Sequence, residues 1–266
     1  MALPVALTIA GSDSSGGAGI QADLKTFAAL GVYGASVITA LTAQNTRGVS
    51  GIHPVPADFV TAQMDAVFGD LDIKAAKIGM VAQVATIEAI AAGLIKWSPA
   101  HVVLDPVMVA TSGDHLLMPD AVEALRTRLI PRASLLTPNL PEAAVLVEEF
   151  EAHDEAAIER QGRKLLAMGC AAVLIKGGHG QGADSIDYLF SSGGMIALAA
   201  PRVATVNTHG TGCSLSSAIA AGLAKGESLE TAVREAKTWI SGAIKQADRL
   251  GVGHGHGPIH HFHRFY

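Results

Sequence analysis

The stretch from His209 to Gly226 combines a glycine-rich turn with a helix that follows it directly. Gly210, Thr211 and Gly212 form the turn, and the two glycines let the backbone bend sharply with its N–H groups facing outward. The helix adds N–H donors without an intrahelical partner and the positive end of its dipole. These features are typical of a phosphate site. A glycine turn that only packs a helix on a sheet explains the pattern equally well.

Cys213 lies at the start of the same helix. At such a position the pKa of a thiol falls from about 8.5 toward neutrality, so the sequence predicts a reactive thiolate. A thiolate beside a bound phosphate could accept the proton of a hydroxyl group that is being phosphorylated. We therefore interpret the stretch as a phosphoryl-transfer site. The alternative is that Cys213 is a small buried packing residue.

Apolar runs and helical patterns alternate along the chain, which predicts an α/β fold: a doubly wound, mostly parallel sheet with helices on both faces. No linker, charge run or repeat divides the chain, so residues 1–266 are expected to form a single domain. We predict strands over 5–11, 35–43, 75–80, 101–108, 134–137 and 172–178, a hairpin over 188–199, and helices from Gly19, from Asn139, and over 56–68, 83–97, 120–129, 153–168 and 228–250.

Several residues that could bind a ligand follow the predicted strands. They are Gly11, Gln44, Met80, Asp105, Lys176 and the turn 210–213. Each has a plainer explanation by itself, since Gln44 could tie down its own loop and Lys176 could be a solvated strand end. In a doubly wound sheet, however, ligands bind at the carboxyl ends of the strands. The convergence of these residues on that edge favours one binding site there.

The side chains at this edge suit a pyrimidine and a nucleotide. The Gln44 amide presents a donor and an acceptor together, which complement the edge of an aminopyrimidine. Asp105 could hold Mg²⁺, although an Asp before Pro106 also forms turns. Asn139 and Glu142 are three residues apart and can face one site, but the same spacing resembles a capping box.

The first loop superficially resembles a dinucleotide-binding fingerprint. Its glycines, Gly11, Gly16, Gly17 and Gly19, do not fit the required spacing, and no acidic residue follows a second strand at the usual place, so we exclude a nicotinamide site. Asp23, one turn into the next helix, is by itself explained by the helix dipole. The polar segment 110–115 is a candidate flap over the site.

The composition narrows the class of protein. The formal net charge is −5 and no basic run occurs, which argues against nucleic acid as the main partner. Cys170 and Cys213 lie far apart, as is usual in a reducing compartment. No apolar stretch is long enough to span a membrane, and the N-terminus has the features of a first strand, so we expect a cytoplasmic protein. For the histidines of the tail 253–263 we expect a structural or surface role.

Taken together, these motifs resemble the hydroxymethylpyrimidine/phosphomethylpyrimidine kinases of thiamine biosynthesis, which belong to the ribokinase superfamily. The resemblance runs along nearly the whole chain, and the motifs are specific as a set. They are AGSDSSGGAGIQAD ending at Asp23, TAQNT ending at Thr46, KIGM ending at Met80, DPVM ending at Met108 with SGD ending at Asp114, TPNLPE ending at Glu142, and HGTGC ending at Cys213.

The resemblance implies a kinase that uses ATP and Mg²⁺ and acts twice, first on the hydroxymethyl group of 4-amino-5-hydroxymethyl-2-methylpyrimidine and then on the monophosphate. It implies that Gln44 binds the aminopyrimidine in a pocket shaped by Gly11, Asp23, Met80 and Val107. Asp105 and Glu142 would serve the metal, Lys176, Asn139, Gly210, Thr211 and Gly212 would bind ATP phosphates, and Cys213 would accept the hydroxyl proton. It further implies a homodimer.

Three other functions remain open at this point. Some relatives with a cysteine at position 213 phosphorylate pyridoxal, often with a second cysteine in the flap, which is absent from 110–115. A sugar kinase would carry an aspartate where this chain has Cys213. A non-catalytic pyrimidine- or nucleotide-binding protein would need no proton acceptor, and the presence of Asp105, Glu142, Lys176 and Cys213 together argues against it.

Overall fold

A computed structural model of the protein describes residues 2–108, 119–178 and 182–266. The strands in these ranges are β1 (Val5–Ser12), β2 (Tyr33–Asn45), β3 (Gly48–Pro54), β4 (Ile73–Ile78), β5 (His101–Leu104), β6 (Leu135–Leu136), β7 (Val173–Ile175), β8 (Asp184–Ser191) and β9 (Gly194–Pro201). The helices are α1 (Gly19–Ala29), α2 (Ala57–Asp70), α3 (Val84–Trp97), α4 (Pro119–Ala124), α5 (Leu140–Val147), α6 (Glu155–Leu166), α7 (Thr211–Ala224) and α8 (Leu229–Lys245). The predicted alternation of strands and helices is confirmed.

These strands form one sheet in the order β3-β2-β1-β4-β5-β6-β7-β8-β9. From β2 to β7 in that order the strands are parallel, while β3, β8 and β9 pair antiparallel at the two edges. The strand order reverses at β1, which lies between β2 and β4. This topology confirms the doubly wound sheet and places a crevice at the carboxyl ends of β1 and β4.

An apolar core lies on each face of the sheet. Alternate residues of β1 point to opposite faces, so that Leu7 and Ile9 join the core under α2 and α3, whereas Ala6 joins the other. The second core contains Phe27 of α1 and Trp239 of α8, together with most of the apolar side chains of α7. The helix α7 thus packs directly on the sheet, which fixes the position of its first turn at the crevice.

Three local features differ from the sequence-based prediction. The strand β3 is not predicted, because its residues are almost all exposed and its glycines and proline obscure any alternation. The helix expected over 120–129 changes to a π-helical turn at Leu125–Leu129, just before Pro131, which has no N–H to donate. The last helix ends at Lys245 and is followed by a 3₁₀ turn over Ala247–Leu250.

Candidate active site

A cavity of about 620 Å³ opens at the carboxyl ends of the parallel strands. Every sequence-predicted site residue lines it except Asp23. The lining includes Gly11, Gln44, Met80, Asp105, Val107, Asn139, Glu142, Lys176, Gly210, Thr211, Gly212 and Cys213. These residues come from separate strand ends and helix starts, so the fold brings together groups that are up to about two hundred positions apart in sequence.

The glycine turn before α7 has the geometry of an anion site. Gly210 caps the helix in the left-handed conformation, with φ of 78°. Thr211 N–H donates to the carbonyl of Thr208 at 3.1 Å, whereas among the described residues no backbone acceptor pairs with the N–H groups of Gly212 and Cys213. Free donors at the positive end of a helix stabilise a bound phosphate.

The loop after β1 packs closely against this turn. A β-carbon at Gly210 would overlap the carbonyl oxygen of Gly17, so only glycine allows the approach. The Asp13 carboxylate accepts the N–H of Ala18 at 2.8 Å and lies 2.8 Å from Nε2 of His209. Burial alone would raise the pKa of Asp13, but hydrogen bonds from His209, Ser15 and Ala18 lower it to about 2. Sequence reasoning did not identify this link, which joins residues 196 positions apart.

On one side of the cavity, a lysine lies between two carboxylates. Lys176 Nζ is 2.7 Å from Oδ1 of Asp105 and 3.9 Å from Oε2 of Glu142. Thr137 and Ser216 donate to the two Asp105 oxygens at 3.2 and 3.3 Å. Burial would raise the pKa of Asp105, but the positive charges of Lys176 and Lys77 hold it below its usual range. We call Lys176, Asp105 and Glu142 the open cluster, because a negative charge remains for a further cation.

The predicted capping box is present at the start of α5. Glu142 N–H donates to Oδ1 of Asn139, and Asn139 N–H donates to Oε2 of Glu142, both at 2.8 Å. Burial and the neighbouring Asp105 raise the pKa of Glu142 to about 7, against the opposing effect of Lys176. The carboxylate therefore has two functions: it caps the helix and faces the cavity.

A second ion pair lies beneath the cavity floor. Lys77 of β4 donates to both oxygens of Asp23 at 2.9 Å, and both side chains are fully buried. Thr8 donates to Asp23 at 2.6 Å and Ser217 at 2.7 Å. We call this group the closed cluster. Asp23 was expected to shape the pocket directly, but all of its described contacts are internal, and it is Lys77 that reaches the cavity lining.

Cys213 differs from its sequence-based prediction in one respect. Burial raises the pKa of its thiol to about 11, and Asp23 and Asp105 act in the same direction, while Lys77 opposes them. The predicted shift toward neutrality is therefore wrong for this environment. Burial disfavours the thiolate more than the helix start and Lys77 favour it, and the two carboxylates near the sulfur add to the effect of burial.

Gln44, Met80 and Gly11 form the other end of the cavity. Thr42 Oγ1 donates to the carbonyl of Ser12 at 2.8 Å and lies 3.1 Å from the side-chain Oε1 of Gln44, a contact that helps to orient the amide. A β-carbon at Gly11 would lie 2.5 Å from Cε of Met80, so glycine makes room for the Met80 side chain. This end therefore offers a thioether, a peptide backbone and one oriented amide, which suit a small flat polar ring.

The chain is similar to known proteins along nearly its whole length. Residues 13–260 match the phosphomethylpyrimidine kinase family. The chain belongs to this family. It is 59% identical over 262 residues to the hydroxymethylpyrimidine/phosphomethylpyrimidine kinase of Rhizobium meliloti (strain 1021), with 98% of each chain covered.

Two further relatives are informative. A thiamine biosynthesis bifunctional protein of Geobacter sulfurreducens is 51% identical, over 96% of this chain and 51% of that protein. The crystal structure of Bacillus subtilis pyridoxal kinase in complex with ADP superposes with a TM-score of 0.91 at 36% identity, and the match covers 100% of both chains. The ribokinase-like fold expected from the motifs is confirmed by this similarity.

This member of the phosphomethylpyrimidine kinase family carries a third ion pair in its cavity that sequence reasoning missed. Lys237 of α8 lies 2.7 Å from Asp187 of β8, and the other Asp187 oxygen accepts the N–H of Gly177. The sequence pattern does not predict this pair, because α8 and β8 come together only in the tertiary fold. The pair lies in the part of the lining formed by β8, β9 and α8.

The histidine-bearing tail has the structural role expected of it. His209 N–H donates to the carbonyl of Gly257, and His261 Nε2 lies 2.9 Å from Oγ of Ser214 in the first turn of α7. Burial lowers the pKa of His261 to about 3, so the ring is neutral at physiological pH. The tail therefore supports the anion turn from behind. The candidate flap 110–115 lies outside the described residues.

Proposed function

We propose that this chain transfers phosphate from ATP to 4-amino-5-hydroxymethyl-2-methylpyrimidine and then to the resulting monophosphate, as a step of thiamine biosynthesis. The observation that carries the proposal is the single cavity that joins the oriented amide of Gln44 to the anion turn and the open cluster. Three relatives that are named hydroxymethylpyrimidine/phosphomethylpyrimidine kinase support the same substrate. None of the helices in the described ranges is long and apolar enough to span a membrane.

The cavity residues account for the first transfer. Gln44 would hold the aminopyrimidine so that its hydroxymethyl group points to the anion turn. The hydroxyl oxygen bonds to the γ-phosphorus as the bond to the bridging oxygen breaks, ADP leaves with that electron pair, and the hydroxyl proton moves to the thiolate form of Cys213. Because the pKa of this thiol is raised, the step would draw on the ionised fraction of the protein, which grows with pH. The N–H groups of Gly212 and Cys213 and the ammonium of Lys176 stabilise the charge on the transferred group.

The open cluster fits a magnesium ion. Mg²⁺ binds through one or two carboxylates together with waters and substrate phosphates, and Asp105 and Glu142 supply two carboxylates against the single charge of Lys176. When bound, Mg²⁺ would neutralise charge on the phosphates of ATP. Asp105 and Glu142 would hold the ion, and Lys176 would contact the phosphate directly.

The second transfer uses a phosphate oxygen as the acceptor. A phosphate monoester is already ionised at neutral pH, so it needs no proton acceptor. The same anion turn and open cluster would serve both transfers, whereas Cys213 would serve mainly the first. We also propose that the chain is one domain and that it acts in the cytoplasm as a homodimer. Light scattering on the purified protein can test the homodimer.

The similarity to pyridoxal kinase makes pyridoxal the second candidate substrate. The purified protein should be given MgATP with hydroxymethylpyrimidine or pyridoxal, and mono- and diphosphate products should be separated and counted. We expect pyrimidine monophosphate followed by diphosphate, with little pyridoxal phosphate. Dominant pyridoxal turnover would identify a vitamin B6 kinase, and no product from either acceptor would favour a non-catalytic binding protein.

A further inference from the structure

The helix α7 connects the closed cluster to Cys213. Cys213 and Ser217 are four residues apart and therefore share one face of the helix. Ser217 Oγ donates to Asp23, which in turn holds the ammonium of Lys77 in both of its oxygens. Cys213 thus lies one helical turn above the buried pair, and Lys77 lines the cavity beside it.

The strand end is shaped so that the ammonium can lie there. A β-carbon at Gly79 would be 2.8 Å from Nζ of Lys77 and 3.0 Å from the β-carbon of Ala10. Any larger residue at this position would displace the lysine. A fully buried ammonium is costly to maintain. Its counter-ion Asp23 accepts two hydrogen bonds from Lys77 and one each from Thr8 and Ser217, which hold the pair at the floor of the active site.

Resting on the function proposed above, we propose that Lys77, anchored by Asp23, is a positioning residue that stabilises the thiolate of Cys213, the form that accepts the hydroxyl proton in the first phosphoryl transfer. The charged groups around the sulfur are Lys77 from β4, Asp23 from α1, Asp105 after β5 and Lys176 after β7. The negative charges of Asp23 and Asp105 raise the pKa of the Cys213 thiol, and the positive charge of Lys77 lowers it. Lys77 therefore acts through the thiol and not by contact with the phosphate.

The test measures the alkylation rate of the Cys213 thiol in the absence of substrate. Iodoacetamide alkylation of Cys213 is followed from pH 7 to 10 by peptide mass spectrometry, with the buried Cys170 as internal reference. Removing a nearby positive charge shifts a pKa by about one unit or more, so Lys77→Met should alkylate about tenfold more slowly at a given pH. Asp23→Asn should alkylate faster, because it removes a negative charge and keeps Lys77. Lys96→Met, which breaks an exposed ion pair with Asp65 outside the cavity, should leave the rate unchanged.

The Cys170 rate and a double variant distinguish an effect of lost packing from an effect of lost charge. A loosened fold would accelerate Cys213 and Cys170 together, in which case Asp23→Asn is compared with the double variant Asp23→Asn/Lys77→Met. These two differ only in the side chain at position 77, which carries a positive charge in the single variant alone, so the proposal requires the single variant to react faster. Equal rates, or an unchanged Cys213 rate in Lys77→Met, would overturn it.

The readout also separates this proposal from the proposed function. If the alkylation pattern holds but the wild-type protein makes no phosphorylated product, the kinase assignment fails and the role of Lys77 toward the thiol stands. If product forms but the alkylation rates do not follow the expected pattern, the kinase assignment stands and the proposed role of Lys77 toward the thiol fails. With both intact, Lys77→Met should slow the first transfer more than the second.

Discussion

The closed and open clusters each pair a lysine with an aspartate at the same cavity, yet they differ in burial and in charge. The side chains of Lys77 and Asp23 have no exposed surface, and the one positive and one negative charge balance. In the open cluster, Lys176 is 14% exposed and faces two carboxylates, Asp105 and Glu142. One cluster is complete by itself, and the other is built to receive a further cation.

Burial distinguishes the charges that stabilise the fold from the charges that can bind a ligand. Each Asp23 oxygen accepts two hydrogen bonds, and a buried pair held in this way resists change, because removing either partner leaves an uncompensated charge. A cluster with a surplus carboxylate keeps a titratable group, and Glu142 has its pKa raised to about 7. In the active site, the closed cluster forms a fixed floor and the open cluster forms a surface that can bind a ligand.

The comparison is tested most strongly by removing each lysine. Lys77→Met should lower the free energy of unfolding by about 3–5 kcal/mol, because it leaves Asp23 buried without its counter-ion. Lys176→Met should cost less stability, since Glu142 can take up a proton, but it should abolish most kinase activity. Urea denaturation of both variants checks the order. Similar losses of stability would mean that the two clusters do not differ in this way.

The second prediction concerns the open cluster alone. Asp105→Asn should reduce both transfers on the order of 10²–10³-fold, as expected for loss of one preorganised charged group, with little loss of stability. Separate assays with the pyrimidine and with its monophosphate measure the two steps. Asp65→Asn, which breaks an exposed ion pair with Lys96, is the matched control and should retain full activity. A defect in only one step would contradict a shared donor-phosphate site.

The third prediction separates the acceptor side from the open cluster. Cys213→Ala should slow the first transfer about 10²-fold, the typical contribution of a general base, and the second transfer much less. The reason is that only the first acceptor carries a proton that must be removed. Equal losses in both steps would instead assign Cys213 a packing role.

The smallest effect expected is a pH dependence of magnesium binding. Glu142 must lose its proton before it can bind a cation, so the apparent affinity for Mg²⁺ at saturating ATP should rise with pH up to about 7 and then level off, by up to about tenfold per unit. Glu142→Gln should bind Mg²⁺ more weakly and lose this dependence. A wild-type profile that is flat from pH 6 to 8 would place the ion elsewhere.

Much of the candidate site is predictable because it lies at strand ends. Gln44, Asp105 and Lys176 each directly follow an apolar run, and parallel strands bring such positions to one edge. The capping box of Asn139 and Glu142 is also a local pattern, and the structure confirms it. By contrast, the exposed strand β3 carries no burial pattern that a sequence could reveal.

What the sequence alone determined is therefore the alternation of elements, the edge of the sheet that binds ligand, and the family motifs. The tertiary fold sets which polar groups meet: Lys77 with Asp23 across 54 positions, Asp13 with His209 across 196, and Ser214 with His261 across 47. It also decided that the Cys213 thiol is harder to ionise, not easier. A thiol pKa depends on burial and on the distance to every neighbouring charge, and these are properties of the folded chain in space.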